Sequence, residues 1–308
     1  MAGVAMSRMR GAAIVLAMLI AALAAAVAAT VFADQQRWLR TVEHRRDQVQ
    51  AQALAMAGVL WTSQIVDEDA RRSAIDHLGE PWALTLPSIP LENGEVRGTI
   101  VDAQGRLNIN ALGATDASAE VERARLARLI AQKGMPPAVL AAMADWIDAD
   151  GAAGESGGED AFYLAQSVPR LAANAPLLRV AELGAVKGVT PRMLAALLPY
   201  LSALPAGTPV NINTAPREVL AAIVENAGNE SLEALVADRA RKPFTTIAEF
   251  RARLPDGSVL ASDVALSVKS NYFYVTIEAR QGATRAHARA LLRRGGGGKP
   301  TIVWQVVE

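Results

Sequence analysis

The chain contains no cysteine. That excludes disulfides, thiol nucleophiles and any Cys-ligated metal, while leaving a periplasmic address open. Proline is missing before Pro81, and Gly58 is the single glycine between Gly11 and Gly79. Nothing in the opening eighty residues therefore compels a turn. An excess of either charge is also missing: 31 Lys and Arg face 31 Asp and Glu, so no global basic field awaits nucleic acid. Histidine is confined to His44, His77 and His287, too scattered to argue a zinc site. What is present is length and apolarity. The chain has 308 residues, 51% of them hydrophobic, enough for one large domain or two small ones beyond an alanine-rich apolar segment.

That segment is residues 11–33, in which Thr30 is the only polar side chain. As a helix it is about 35 Å long, enough to cross a hydrocarbon core of ~30 Å. Three readings compete. The segment is a cleaved secretory signal, with Val31-Phe32-Ala33 as the small-residue site before Asp34; or an uncleaved signal anchor; or a prepilin-type leader, cut on the cytoplasmic side after Gly11 to leave Ala12 as the new N-terminus. Arg8 and Arg10 favour a cytoplasmic N-terminus, although Arg37, Arg40, Arg45 and Arg46 follow on the other side. The helical pattern continues to about Asp67. Val42, Val49, Ala53, Met56 and Leu60 fall on one narrow stripe, expected to pack on the chain's own domain and, in its membrane half, on sister helices.

Residues 79–95 carry Pro81, Pro87, Pro90 and Gly94 and read as a loop. Residues 98–102 and 106–110 then read as a hairpin turning at 103–105. From 114 to 263 the composition changes to short Ala- and Leu-rich helices, expected at 117–133, 137–147, 177–183, 191–201, 215–226, 231–240 and 247–254. Thr190 before Pro191, and Thr214 near Pro216, suit helix starts. Residues 272–279, 286–293 and 301–307 read as strands of an antiparallel meander, joined through the glycines at 295–298. Strands on both sides of the helical block predict one sheet with an all-α domain inserted into it, an α+β chain. Its expected divisions are 1–11, 12–33, 34–78, 79–113 with 264–308, and 114–263.

Asp145, Asp148, Asp150, Glu155, Glu159 and Asp160 crowd a glycine-rich stretch that holds no basic residue. Hard oxygen donors so arranged repel one another unless a cation neutralises them, which suits calcium. Asp148, Asp150, Ser156 and Glu159 partly follow EF-hand spacing, but Ala152 and Ala153 stand where a ligand and the turn glycine belong. The same stretch matches G-x-S-x-G at Ser156, yet no apolar strand precedes it, which argues against a membrane-tethered hydrolase. Residues 183–194, 211–220 and 240–250 resemble the helix-hairpin-helix units of membrane-anchored DNA-uptake receptors. They lack the usual Gly-x-Gly, and basic residues around them are few.

Taken in order, several pieces resemble the type II secretion system protein K family of large minor pseudopilins. They are Arg10-Gly11-Ala12 with its apolar helix, 98–102 through 106–110, 145–150, Gly158-Glu159-Asp160 with Tyr163, 181–183, and 210–215. The resemblance spans essentially the whole chain. It implies a pilin-like fold, with a long N-terminal helix on a small antiparallel sheet and a large helical insertion. It implies a single-pass inner-membrane protein with a periplasmic body, cut between Gly11 and Ala12 by the prepilin peptidase, which also methylates the new terminus. It implies a non-enzymatic place at the tip of a pseudopilus with minor pseudopilins I and J and the other pseudopilins, and no nucleic acid. It implies calcium on the acidic loop, carried onto Asp148, Asp150, Glu155, Glu159 and Asp160. The fifth mature residue would be Leu16, where most pilins have a glutamate that neutralises a neighbour's N-terminal amine. A buried amine and a buried carboxylate each cost several kcal/mol unpaired. A subunit with leucine there suits a position where no such amine arrives, which is the tip.

Overall fold

The computed structural model describes residues 3–84, 86–295 and 299–308. Its first element is the 70-residue helix α1, Gly3–Arg72. Absence of breakers lets it run unbroken past the expected end at Asp67, and Asp67–Arg71 and Glu68–Arg72 ion pairs brace its last turns. From Ala12 to Arg46 every residue is exposed.

The second half of α1 lies on a five-stranded antiparallel sheet. The strands are β1 (Leu86–Leu91), β2 (Gly94–Asp102), β3 (Tyr272–Gln281), β4 (Thr284–Arg293) and β5 (Thr301–Val307), adjacent in that order. The expected C-terminal strands are therefore present. The expected loop over 79–95 instead contains β1, an edge strand, where Pro87 and Pro90 are tolerated. Of the expected glycine joint, residues 296–298 lie outside the described residues.

The helix face that meets the sheet is not the expected stripe. Ala51, Ala55, Gly58, Val59, Thr62 and Val66 are buried, against Val275 and Ile277 of β3 and Ala286, Ala288 and Ala290 of β4. Small residues on both sides let the helix backbone approach the strands closely. A Cβ on Gly58 would stand 2.7 Å from Ile277 Cγ2. Val42, Val49, Ala53, Met56 and Leu60 all face outward, Val49 at 65% and Leu60 at 58% exposure. Close approach selects small side chains, whereas hydrophobic periodicity weights large ones.

The chain leaves the sheet at Asp102 and returns at Tyr272, and Asp102 is paired with Phe273. The inserted domain thus begins and ends at one corner. The predicted hairpin does not form: Leu107–Asn108 pairs in parallel with Leu201–Ser202 inside the insertion. Asn108 and Asn110 are buried clasps there. Asn108 Oδ1 accepts from Leu204 N at 3.1 Å, and Asn110 Nδ2 donates to Leu177 O and Leu204 O, both at 2.9 Å. The helices are α2 (Ala119–Gln132), α3 (Pro137–Ile147), α4 (Asp160–Leu164), α5 (Pro191–Leu197), α6 (Arg217–Ile223), α7 (Asn229–Arg241) and α8 (Ile247–Ala252). They enclose one core that includes Leu129, Met143, Leu183, Leu220 and Phe250. The helix expected over 177–183 is a 3-10 turn, Val180–Ala185, and α4 was not anticipated. Thr190 caps α5 through Met193 N, but Thr214 spends its hydroxyl elsewhere, on Asp102.

Candidate functional site

Two polar centres and one apolar rod define what this molecule offers. The first centre is the acidic loop. Helix α3 carries Asp145 in its last turn and Asp148 just past its end, where Asp148 N still donates to Ala144 O. After the glycine-rich loop, Glu159 stands at the start of α4, and Trp146 and Tyr163 lock the two helices edge to face at 4.6 Å. Asp148, Asp150 and Glu159 present carboxylate oxygens within 4.8 Å of one another. Glu155 is exposed and outside this convergence, and Asp160 is turned away, with Oδ1 accepting from Ala172 N at 2.9 Å.

Two residues that sequence reasoning did not assign to the site flank it. Asp145 Oδ1 accepts from Gly154 N at 2.7 Å, and Asn174 Nδ2 donates to Glu159 Oε2 at 3.2 Å. Four buried acceptors in this neighbourhood have no donor: Asp145 Oδ2, Asp148 Oδ1, Glu159 Oε1 and Asn174 Oδ1. No ion pair among the described residues reaches Asp145, Asp148, Asp150 or Glu159. The nearby cation, Lys187, donates instead to Gly157 O at 2.5 Å and lies over the Phe162 ring. Burial, followed by the neighbouring Asp150, Asp145 and Glu159, pushes Asp148 up to about 6. An all-oxygen donor set, acceptors without donors and uncompensated negative charge together fit a hard divalent cation.

The second centre joins the far end of α1 to the base of the insertion. Asp102 Oδ2 accepts from Thr214 Oγ1 and Ser270 Oγ, both at 2.6 Å, and from Asn211 Nδ2 at 3.0 Å. Asn211 Nδ2 also reaches Asp76 O. Arg294, 5% exposed, donates to Asp76 Oδ1 at 2.6 Å and Asp69 Oδ2 at 3.0 Å. Asp69, Asp76 and Glu80 are also within 4.8 Å of one another, but Arg294 already bridges two of them, and none of the three has a buried oxygen without a partner. Asp102, Asn211 and Thr214 lie in stretches that the sequence singles out, 98–102 and 210–215, whereas Asp69, Asp76, Ser270 and Arg294 lie in none.

The rod is the exposed start of α1. Leu16 is 58% exposed, as are Ile14, Leu19, Ile20, Leu23 and Phe32 to similar degrees. Among the described residues it is the one helix long and apolar enough to cross a membrane. Gly11 and Ala12 are both within the helix. Ser156 has no hydrogen bond to any histidine among the described residues, and in the first hairpin unit Lys187 is already engaged.

Residues 105–206 and residues 210–269 each match a family model described as "Type II secretion system (T2SS), protein K", together more than half of the chain. The type II secretion system protein K of Pectobacterium carotovorum subsp. carotovorum is 32% identical over 309 residues, covering 94% of each chain. That of Pseudomonas aeruginosa is 32% identical over 305 residues, covering 95% of this chain and 91% of the relative. Among solved structures, the GspK-GspI-GspJ complex of enterotoxigenic Escherichia coli contains a chain that matches with a TM-score of 0.77 and 28% identity, over 87% of this chain and 99% of that one.

Proposed function

From the premise that the chain belongs to the type II secretion system protein K family, we propose that this minor pseudopilin sits at the tip of the periplasmic pseudopilus and starts or caps its assembly for export across the outer membrane. The single observation that carries this reading is where the bulk lies. The insertion is fastened through Asn211 and Ser270 to Asp76, just past the end of α1 remote from the apolar rod. At ~1.5 Å per residue α1 is about 105 Å long. With the rod in the inner membrane, the insertion stands farthest from it, where it would obstruct a further subunit stacked above. Leucine at position 16 offers no carboxylate to another subunit's amine, which agrees with an end position.

In this reading the prepilin peptidase cleaves between Gly11 and Ala12 and methylates the new terminus, and the protein is a structural subunit without an active site. Its tip partners are minor pseudopilins I and J, the subunits named with the solved relative. Calcium is held by Asp148, Asp150 and Glu159 and supplies the positive charge that no ion pair brings to these carboxylates. The test is intact-mass analysis of full-length protein extracted from membranes together with its I and J subunits. Loss of residues 1–11 with gain of one methyl, in a complex that holds all three chains, is the expected result. A mature chain beginning at Asp34, or one that never co-purifies with I and J, removes the proposal.

A further inference from the structure

The two edges of the sheet are not alike. β1 carries Pro87 and Pro90 and a register shift between Leu86 and Ile89, devices that blunt an edge against pairing. β5, the other edge, has no proline, glycine or charge in Thr301–Val307. Its outward backbone groups follow from the pairing with β4. His287 and Glu308 exchange both bonds, N–H to O at 2.8 and 2.9 Å. Antiparallel alternation then makes Arg289/Val306 and Leu291/Trp304 bonded pairs and leaves Ala288/Val307 and Ala290/Gln305 non-bonded. The N–H and C=O groups of Gln305 and Val307 therefore point away from the sheet. No partner for either N–H occurs beyond the strand among the described residues.

Both faces of this edge carry apolar side chains, interrupted by Thr301 and Gln305 on the strand and by charged residues along the groove on one face. Val307 packs towards the α1 side. On the opposite face Trp304 and Val306 floor a groove walled by Arg179, Ala181, Glu182 and Arg289. Ile302 and Val303 are 38% and 47% exposed. Unmet backbone donors and acceptors at strand spacing, with apolar side chains above and below, are complementary to one kind of element, an added β-strand with apolar residues on both faces and polar ones against Arg179, Glu182 and Arg289.

We propose that β5 receives such a strand from a different subunit of the assembly; this rests on the pseudopilin reading above. A second copy of this chain is excluded by symmetry. Two β5 strands paired antiparallel are related by a two-fold axis perpendicular to the sheet, which reverses every direction in the sheet plane. Helix α1 lies along the sheet, over β2, β3, β4 and β5. The two apolar rods would then point in opposite directions and could not share one membrane.

The experiment is hydrogen exchange resolved to single amides, on full-length protein in detergent, alone and co-purified with its I and J subunits. The Gln305 and Val307 amides are expected to exchange at least about tenfold more slowly in the complex, with Trp304 and Val306, already bonded to β4, unchanged. Gln305→Pro deletes one outward donor and spares the bonds to β4, as edge strands allow. It is expected to weaken the complex about tenfold while the unfolding midpoint holds. A complex that forms with Gln305 and Val307 still exchanging freely, or that Gln305→Pro leaves intact, overturns the strand seat and leaves the pseudopilin reading standing. Protection already present in the lone chain and rising with its concentration overturns it in favour of a second copy. Failure to co-purify with I and J overturns both readings.

Discussion

Asp69, Asp76 and Glu80 at the joint, and Asp148, Asp150 and Glu159 in the loop, are each close enough to share a cation, yet only the first trio has a bridging cation and a partner for every buried oxygen inside the fold. At the joint Arg294 bridges Asp69 and Asp76, and Glu80 Oε2 accepts from Trp82 Nε1 at 2.8 Å and His77 N at 2.9 Å. In the loop, buried acceptors stand without donors, and the one basic side chain that arrives, Lys187, meets a backbone carbonyl and forms no ion pair with a carboxylate. Equal densities of acid therefore serve opposite ends. A buried carboxylate cluster that meets its own needs is a fastening, and one that does not is a receptor for charge from outside.

The sharpest way to break this contrast is at the joint. Arg294→Met keeps much of the stem but strands Asp69 and Asp76 in the interior. Removing one partner of a buried ion pair costs about 3–5 kcal/mol. Denaturant unfolding should show a loss of that size, and calcium should not repair it. A loss below about 1 kcal/mol would mean that Arg294 is not what neutralises the joint.

The loop should answer in the reverse manner. A ligand that binds only the folded state adds about 2.7 kcal/mol at a hundredfold excess over its dissociation constant. Calcium is thus expected to raise the unfolding midpoint of the full chain, chelator to lower it, and Glu159→Gln to abolish the difference. An equal midpoint with calcium and with chelator would remove the metal from the proposal.

Proton linkage separates the calcium-free and calcium-loaded loops. Asp148, pushed up to about 6 from 3.8, holds its proton more tightly folded than unfolded. Its contribution in the calcium-free chain is therefore fully present below pH 3.8 and is lost as pH rises through about 6. Calcium requires the ionised form, so the increment it adds should grow over the same interval. Midpoints measured with and without calcium at about pH 5 and about pH 7 test the sign. A larger calcium increment at the lower pH would contradict it.

How far these features were legible depends on the distance over which they are written. The apolar rod, α3, the C-terminal strands and the crowded acids of the loop are local, and each is set by composition or period within a few turns. The joint is not local, because Asp69, Asp102, Asn211 and Arg294 meet only after the insertion has closed on its corner of the sheet. The false hairpin has the same cause. Residues 106–110 have strand character, but Asn108 and Asn110 find their partners at Leu204 and Leu177 rather than across a turn. In the loop, the acidic run includes Asp145, but spacing alone does not assign it to the site. Its place beside the site follows from the last turn of α3 and from the Gly157 backbone lying against its carboxylate.

The smallest expected effect tests the face of α1 that the hydrophobic pattern misplaced. Val59 is fully buried against the sheet, while its neighbour Leu60 is 58% exposed. Val59→Ala removes two buried carbons, about 1.6 kcal/mol at ~0.8 kcal/mol each, and that loss should register in the isolated chain. Leu60→Gln leaves every sheet contact in place and should change its stability by no more than about 0.5 kcal/mol. The same substitution becomes costly only if a helix of another subunit lies on that face. A drop in co-purification with I and J for Leu60→Gln, at unchanged midpoint, would show that the outward stripe serves the assembly. A midpoint lowered as far as by Val59→Ala would instead return Leu60 to the chain's own core and reverse the assignment of the two faces.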